Sequence, residues 1–182
     1  MTHYDNEPEQ GMHGAEAVAH FLDRKHASNE LIEHYATYAA KEEASAAGSP
    51  APRMAKTVAL HDTDGYRIAI IPASERVDVG KARKVFGASA DMRLATEREI
   101  AQEFAAFDPG ALPPFRGLLG APEGLDTRLL HYHRILCSAG DHRHTLKISP
   151  EEIQRVGEPA VADVCVGTPG RAVKQFRADD QP

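Results

Sequence analysis

Residues 55–60 and 66–71 form two apolar stretches around His61-Asp62-Thr63-Asp64-Gly65, and this unit constrains the fold more than any other. The Asp64-Gly65 pair supplies the positive-φ position that a tight reversal requires, so the unit reads as a β-hairpin. The elements around it are mixed. Residues 15–26 place Val18, Phe21 and Leu22 at helical spacing, residues 30–34 read as a brief strand, and residues 39–47 read as a helix stopped by Gly48-Ser49-Pro50. Asp78 caps a basic helix through Phe86 that stops at Gly87. Thr96-Glu97-Arg98-Glu99 is a capping box opening a helix to about Phe104. Residues 134–138 and 145–148 read as strands joined by Gly140-Asp141-His142-Arg143. Pro150 then opens a helix behind Ser149, and residues 161–166 read as a last strand.

Residues 108–124 are the longest stretch of loop chemistry, with Pro109, Gly110, Pro113, Pro114, Gly117, Gly120 and Pro122. A rigid, unusual path of this kind inside a domain is more often functional than idle. Strands and helices alternate without a repeating βαβ unit. The expected class is therefore α/β of the α+β type, one compact domain around a mixed, mainly antiparallel sheet. The 182 residues suit one domain. We place it at 15–166, behind an acidic leader at 1–14 and before a loose tail at 167–182.

Hydrophobic residues make up 42% of the chain, too many for wholesale disorder. The longest apolar run, 68–73, is interrupted by Pro72 and is far short of a membrane span. Residues 1–10 carry acids rather than a basic segment, so no signal peptide is expected and the cytoplasm is the default. Cys137 and Cys165 cannot build a disulfide framework and read as reduced core thiols. The net charge of −6 is uneven: residues 1–50 hold 3 basic and 9 acidic side chains, whereas residues 51–182 hold 18 of each. A neutral body can still present a basic face to phosphate. Residues 76–93, with five cations against two acids, and Arg171, Lys174 and Arg177 are candidates for it.

No phosphate-binding glycine loop and no Gly-x-Ser-x-Gly turn is present, so nucleotide hydrolysis and α/β-hydrolase chemistry are unsupported. His131, His133, His142 and His144, with Asp141, form the one dense group of metal-ligating types. Strand alternation would put His131 and His133 on one face, but the spacing matches no zinc signature. Lys56, inside a predicted strand, reads equally as an edge-strand guard or as a cation that meets an anion or polarises a carbonyl. Gly140-Asp141 reads as plain turn chemistry or as exposed backbone N–H groups able to bind an oxyanion.

Five segments in order resemble the YbaK/EbsC family, the prolyl-tRNA synthetase-associated domain. They are Leu31-Ile32-Glu33-His34 with Thr37-Tyr38 before Ala40-Lys41-Glu42-Glu43-Ala44; Ala55-Lys56-Thr57-Val58 with the hairpin to Ala73; Leu94-Ala95; Pro109-Gly110-Ala111-Leu112-Pro113-Pro114-Phe115; and Ser138-Ala139-Gly140-Asp141-His142-Arg143-His144. The resemblance implies a partly barrel-like sheet surrounded by helices. It also implies hydrolysis of the ester linking a wrongly attached small amino acid to tRNA, without metal or cofactor. Lys56, Gly140 and Asp141 are the implied catalytic positions. His34, Thr37, Tyr38, Thr57, Gly110, Pro114, Phe115, Ser138 and His144 are the implied substrate-binding positions. The implied partner is the 3′ aminoacyl-adenosine end of mischarged tRNA, with an aminoacyl-tRNA synthetase as a further candidate. The chain departs from the family pattern at Tyr35, Ala39 and Cys137-Ser138, so the amino acid removed is open. Two other readings stand beside this one: a non-catalytic RNA- or ligand-binding module, and a metal-dependent hydrolase using the His131–His144 cluster.

Overall fold

A computed structural model describes residues 11–36 and 53–168. Thr37, Tyr38 and the helix expected over 39–47 lie outside the described residues. The chain runs α1 (Gly14–Arg24), β1 (Asn29–Glu33), β2 (Ala55–Asp62), β3 (Gly65–Pro72), α2 (Val79–Phe86), β4 (Arg93–Leu94) and α3 (Glu97–Glu103). It continues with α4 (Arg116–Leu119), β5 (Glu123–Asp126), a 3-10 helix (Thr127–His131), β6 (Ile135–Ser138), β7 (His144–Ile148), α5 (Pro150–Gly157) and β8 (Ala160–Ala162).

The hairpin is the centre of the molecule. Its turn is tighter than the sequence suggests, with Asp62 paired to Gly65 and only Thr63-Asp64 between them. Buried Asp62 closes it by accepting hydrogen bonds from the Asp64 N–H at 3.0 Å and the Ser89 N–H at 3.2 Å. Strand β3 is a continuous apolar run rather than an alternating one because both its faces are covered. Ile68 and Ile70 enter the main core with Val18, Phe21 and Leu22 of α1, while Ala69 and Ile71 enter a second cluster beneath α2.

Two sheets result, a five-stranded one in the order β4-β2-β3-β5-β8 and a three-stranded one in the order β1-β7-β6. Most pairs are antiparallel, but β5 lies parallel to both β3 and β8. The sheets meet at a parallel bridge between Met54 and Leu136, and among the described residues they do not close into a barrel. The expected caps are present: Asp78 accepts from the Lys81 N–H, Thr96 and Glu99 form the capping box, and Ser149 caps α5 ahead of Pro150.

Three local expectations are corrected. The stretch 108–124 is not loop throughout, since it contains α4 and leads into β5. Strand β5 went unseen because Glu123, Gly124 and Asp126 surround a single apolar residue, Leu125, although all four are buried. The last strand stops at Ala162, and only Cys165 beyond it bridges, to Val77. His131 closes the 3-10 helix instead of sharing a strand face with His133.

The two acids of β5 have opposite environments. Asp126 is fully buried and accepts from the Arg128 N–H (2.9 Å), the Arg128 guanidinium (2.9 Å) and the Val164 N–H (2.9 Å). Arg128 also donates to Asp163 at 2.8 Å, and Asp163 accepts from Lys81 at 2.7 Å. Glu123, only 3% exposed, lies beside Gly157, and neither carboxyl oxygen has a hydrogen-bond partner. Burial pushes its pKa from 4.5 up to about 8, which the nearby Arg116 N–H, outside hydrogen-bond geometry, and the Arg116 charge offset only in part. Between about pH 4.5 and pH 8 the folded chain therefore holds a proton that the unfolded chain has released, and stability falls as pH rises across that window. Glu123→Gln is expected to raise the unfolding free energy by roughly 2 kcal/mol near pH 8 and far less near pH 5. Urea titrations of both proteins at the two pH values check this, and equal differences at both would refute it.

Candidate functional site

Lys56 is held in place by the hairpin. Strand pairing sets it opposite Ile71, and its Nζ donates to the Ala73 carbonyl at 3.1 Å just beyond the end of β3. The side chain is half-buried, and that burial lowers its pKa. The Cys165 and Glu75 side chains oppose the shift, while Arg76 adds to it. A partly desolvated ammonium of this kind gains more from an arriving anion or carbonyl oxygen than a fully hydrated one does.

Strand alternation brings other groups to the same side. The Met54–Leu136 bridge is parallel, so Lys56 and Ser138 each follow two residues later on one face. Ser138 pairs across the sheet with Thr145, and Thr145 pairs with Ile32. Ile32 and Ala73 pack against Met54 and Leu136, which joins the two ends of this row. His34 completes it. Its Nδ1 lies 2.7 Å from the Tyr35 carbonyl, which can only accept, so in the neutral ring Nε2 accepts from the Thr145 hydroxyl at 2.9 Å. Lys56, Ser138, Thr145 and His34 thus form a polar row over a small apolar floor. Thr145 was not singled out in the sequence, and the signal that marks it is its position across the Gly140 turn from Ser138.

The remaining candidates lie elsewhere. Thr57 alternates with Lys56 and shares the side of Ala55 and Ala59, which belong to the main core. Phe115 is fully buried with its ring centroid 5.5 Å from that of Phe21, and Pro114 is buried beside it. His144 shares its strand face with core residues Leu146 and Ile148, away from Thr145. Its Nδ1 donates to Asp141 at 2.9 Å.

Asp141 also accepts from the backbone N–H groups of Arg143 at 2.8 Å, His144 at 2.9 Å and Ala15 at 3.3 Å. Burial alone would raise its pKa, but these donors outweigh it and hold the carboxyl below the usual range. Asp141 therefore ties the β6–β7 turn to the first turn of α1. Gly140, with φ +96, packs against Gly14 and Phe107 and accepts from the Asp108 N–H at 3.0 Å. Gly110, with φ +86, lies against His142, so the proline- and glycine-rich loop and the β6–β7 turn are neighbours. Among the described residues no three His, Cys, Asp or Glu side chains converge to hold a metal, so the His131–His144 group does not assemble as a ligand set. No helix among the described residues is long and apolar enough to cross a membrane.

Comparison with known proteins places this geometry. No curated protein matches the sequence. A solved structure provisionally described as a trans-editing enzyme for prolyl tRNA synthetase is 27% identical, with a TM-score of 0.74 over 84% of this chain and 97% of the other. A scaffold protein from an epitope-grafting design is 26% identical, with a TM-score of 0.74 over 85% and 97%. A hypothetical protein at 22% identity shares the fold, with a TM-score of 0.74 over 81% and 98%. The family model for the aminoacyl-tRNA editing domain matches residues 34–156, which begins at His34 and takes in both the hairpin with Lys56 and the Ser138–Thr145 pair. On that match, over more than half its length, the chain belongs to the aminoacyl-tRNA editing domain family, as the YbaK-like order of its motifs anticipated.

Proposed function

We propose that this protein is a trans-acting deacylase that hydrolyses the ester between a wrongly attached small amino acid and the terminal ribose of tRNA. The row formed by Lys56, Ser138, Thr145 and His34, at the junction of the two sheets in an editing-domain fold, carries the reading. An aminoacyl ester is already activated, so positioning and charge stabilisation supply the rate without a protein nucleophile. Water adds to the ester carbonyl, the bond to the ribose oxygen breaks, and that oxygen leaves as a hydroxyl. Lys56 meets the terminal phosphate or the carbonyl oxygen as negative charge grows on it. The Ser138 and Thr145 hydroxyls border the amino acid, and His34 orients Thr145. Gly140 and Asp141 act by shaping the turn behind Ser138. A pocket that selects by size suits Ala, Ser or Cys.

The test is deacylation of tRNAs mischarged with Ala, Cys or Ser by wild type and Lys56→Ala. One charged tRNA is expected to be hydrolysed, with kcat/KM falling on the order of 100-fold in the variant, the loss typical of one stabilising donor. No turnover by folded wild type across the panel would overturn the proposal in favour of a binding module.

A further inference from the structure

We propose that the outward face of α2 docks the phosphate backbone of the tRNA acceptor stem while its 3′ end enters at Lys56, an inference that rests on the deacylase reading. The helix starts beside the lysine. Lys56 donates to the Ala73 carbonyl, Arg76 acts electrostatically on Lys56, and the Asp78 N–H is fastened to the Val164 carbonyl at 2.8 Å. From there α2 runs about 12 Å over its eight residues. Its inner side, with Ala82 fully buried and Val79, Val85 and Phe86 packed beside it, covers the second apolar cluster. Its outer side carries Gly80, Arg83, Lys84 and Gly87, spaced i, i+3, i+4 and i+7. Two cations flanked by two glycines leave a low face that a polyphosphate chain can approach closely.

The cations of this face differ from many others in the fold. Lys81, Arg93, Arg128, Arg143, Lys147 and Arg155 are each paired with a carboxylate. Among the described residues none of Arg76, Arg83 and Lys84 has a carboxylate partner, and the Arg83 guanidinium has only a long contact of 3.4 Å to the Ala90 carbonyl. Lys81 points inward, where it binds Asp163 and the Cys165 carbonyl. An acidic protein needs such a local field to attract RNA, and the net charge here is −6. The helix that follows Arg76 carries the exposed Arg83 and Lys84 away from the Lys56 end, which favours an RNA backbone attached to the bound 3′ end over an unrelated anion.

The experiment compares wild type with the double variant R83E/K84E. Binding of uncharged tRNA is followed against salt, and deacylation is measured on the mischarged tRNA and on an aminoacylated CCA trinucleotide that lacks the stem. In the variant the Kd and KM for tRNA are expected to rise by about tenfold or more, with kcat unchanged. The log–log salt slope should fall by about 1.5, close to the loss of two phosphate contacts. Hydrolysis of the trinucleotide ester should be the same in both proteins. Equal tRNA affinity and equal salt slope in the two proteins would overturn the α2 assignment while leaving the deacylase reading intact. Wild type that binds tRNA through α2 but hydrolyses neither ester would support the docking face and overturn the catalytic reading. Wild type without measurable tRNA binding would overturn both.

Discussion

Gly140→Ala is expected to destabilise the fold by about 4 kcal/mol, with a fall in the urea midpoint far larger than a surface change produces. Two costs add. The residue has φ +96, a conformation an L side chain adopts only under strain. A Cβ there would also meet Phe107 Cδ1 at 2.8 Å and the Gly14 backbone carbon and oxygen at 2.9 Å. Backbone cannot yield as a flexible side chain does, so α1 has to move, and the Asp141 link to the Ala15 N–H goes with it. The consequence for function is practical. Lost deacylation in this variant would report the collapse of the turn behind Ser138, so activity has to be read beside the urea curve. A Gly140→Ala protein with wild-type stability would refute the packing account.

Asp126→Ala is expected to cost about 3–5 kcal/mol, the range for removing one partner of a buried ion pair. The carboxylate is fully buried and serves the Arg128 guanidinium, the Arg128 N–H and the Val164 N–H together. Without it, Arg128 keeps only Asp163, and the Val164 N–H loses its acceptor in the interior. Cys165 provides a second readout. Burial first, and then the neighbouring Asp126 carboxylate, push its thiol up to about 12. In the variant the thiol should titrate lower and react faster with an alkylating reagent under native conditions, while Cys137, buried in β6, stays slow. Asp126→Asn keeps an acceptor oxygen and should fall between the two proteins in both measurements. Unchanged stability in Asp126→Ala would show that the network contributes nothing to holding the segment from Asp163 to Cys165.

Lys56 was legible in the sequence because a lysine inside a predicted strand is an anomaly, and the family resemblance gave the anomaly a role. Ser138 and His34 were legible only through that resemblance. Thr145 was not, since only its position across the turn from Ser138 sets it apart from other strand threonines; its place follows from pairing with Ser138 and bonding to His34. Phe115 shows the converse. Its motif suggested the pocket, yet packing on Phe21 places it wholly in the core. The histidine cluster misled because its members fall on a 3-10 helix, a link, a turn and the start of β7 rather than on one strand face.

The sequence by itself determined what depends on near neighbours. The Asp-Gly hairpin, the caps at Asp78, Thr96 and Ser149, and the stop at Gly87 all rest on bonds between residues a few positions apart. Only the tertiary structure decided which strands lie side by side. Strand β5 is held parallel between β3 and β8, so a segment with two acids and a glycine becomes an interior strand, where burial and pairing outweigh propensity. The site arises in the same way. Lys56 and Ser138 lie 82 positions apart in the chain, and they share a face because one long-range bridge, Met54 to Leu136, fixes the register of two sheets. Local preferences carry no information about that register, because it is set by which apolar faces find cover in the folded chain.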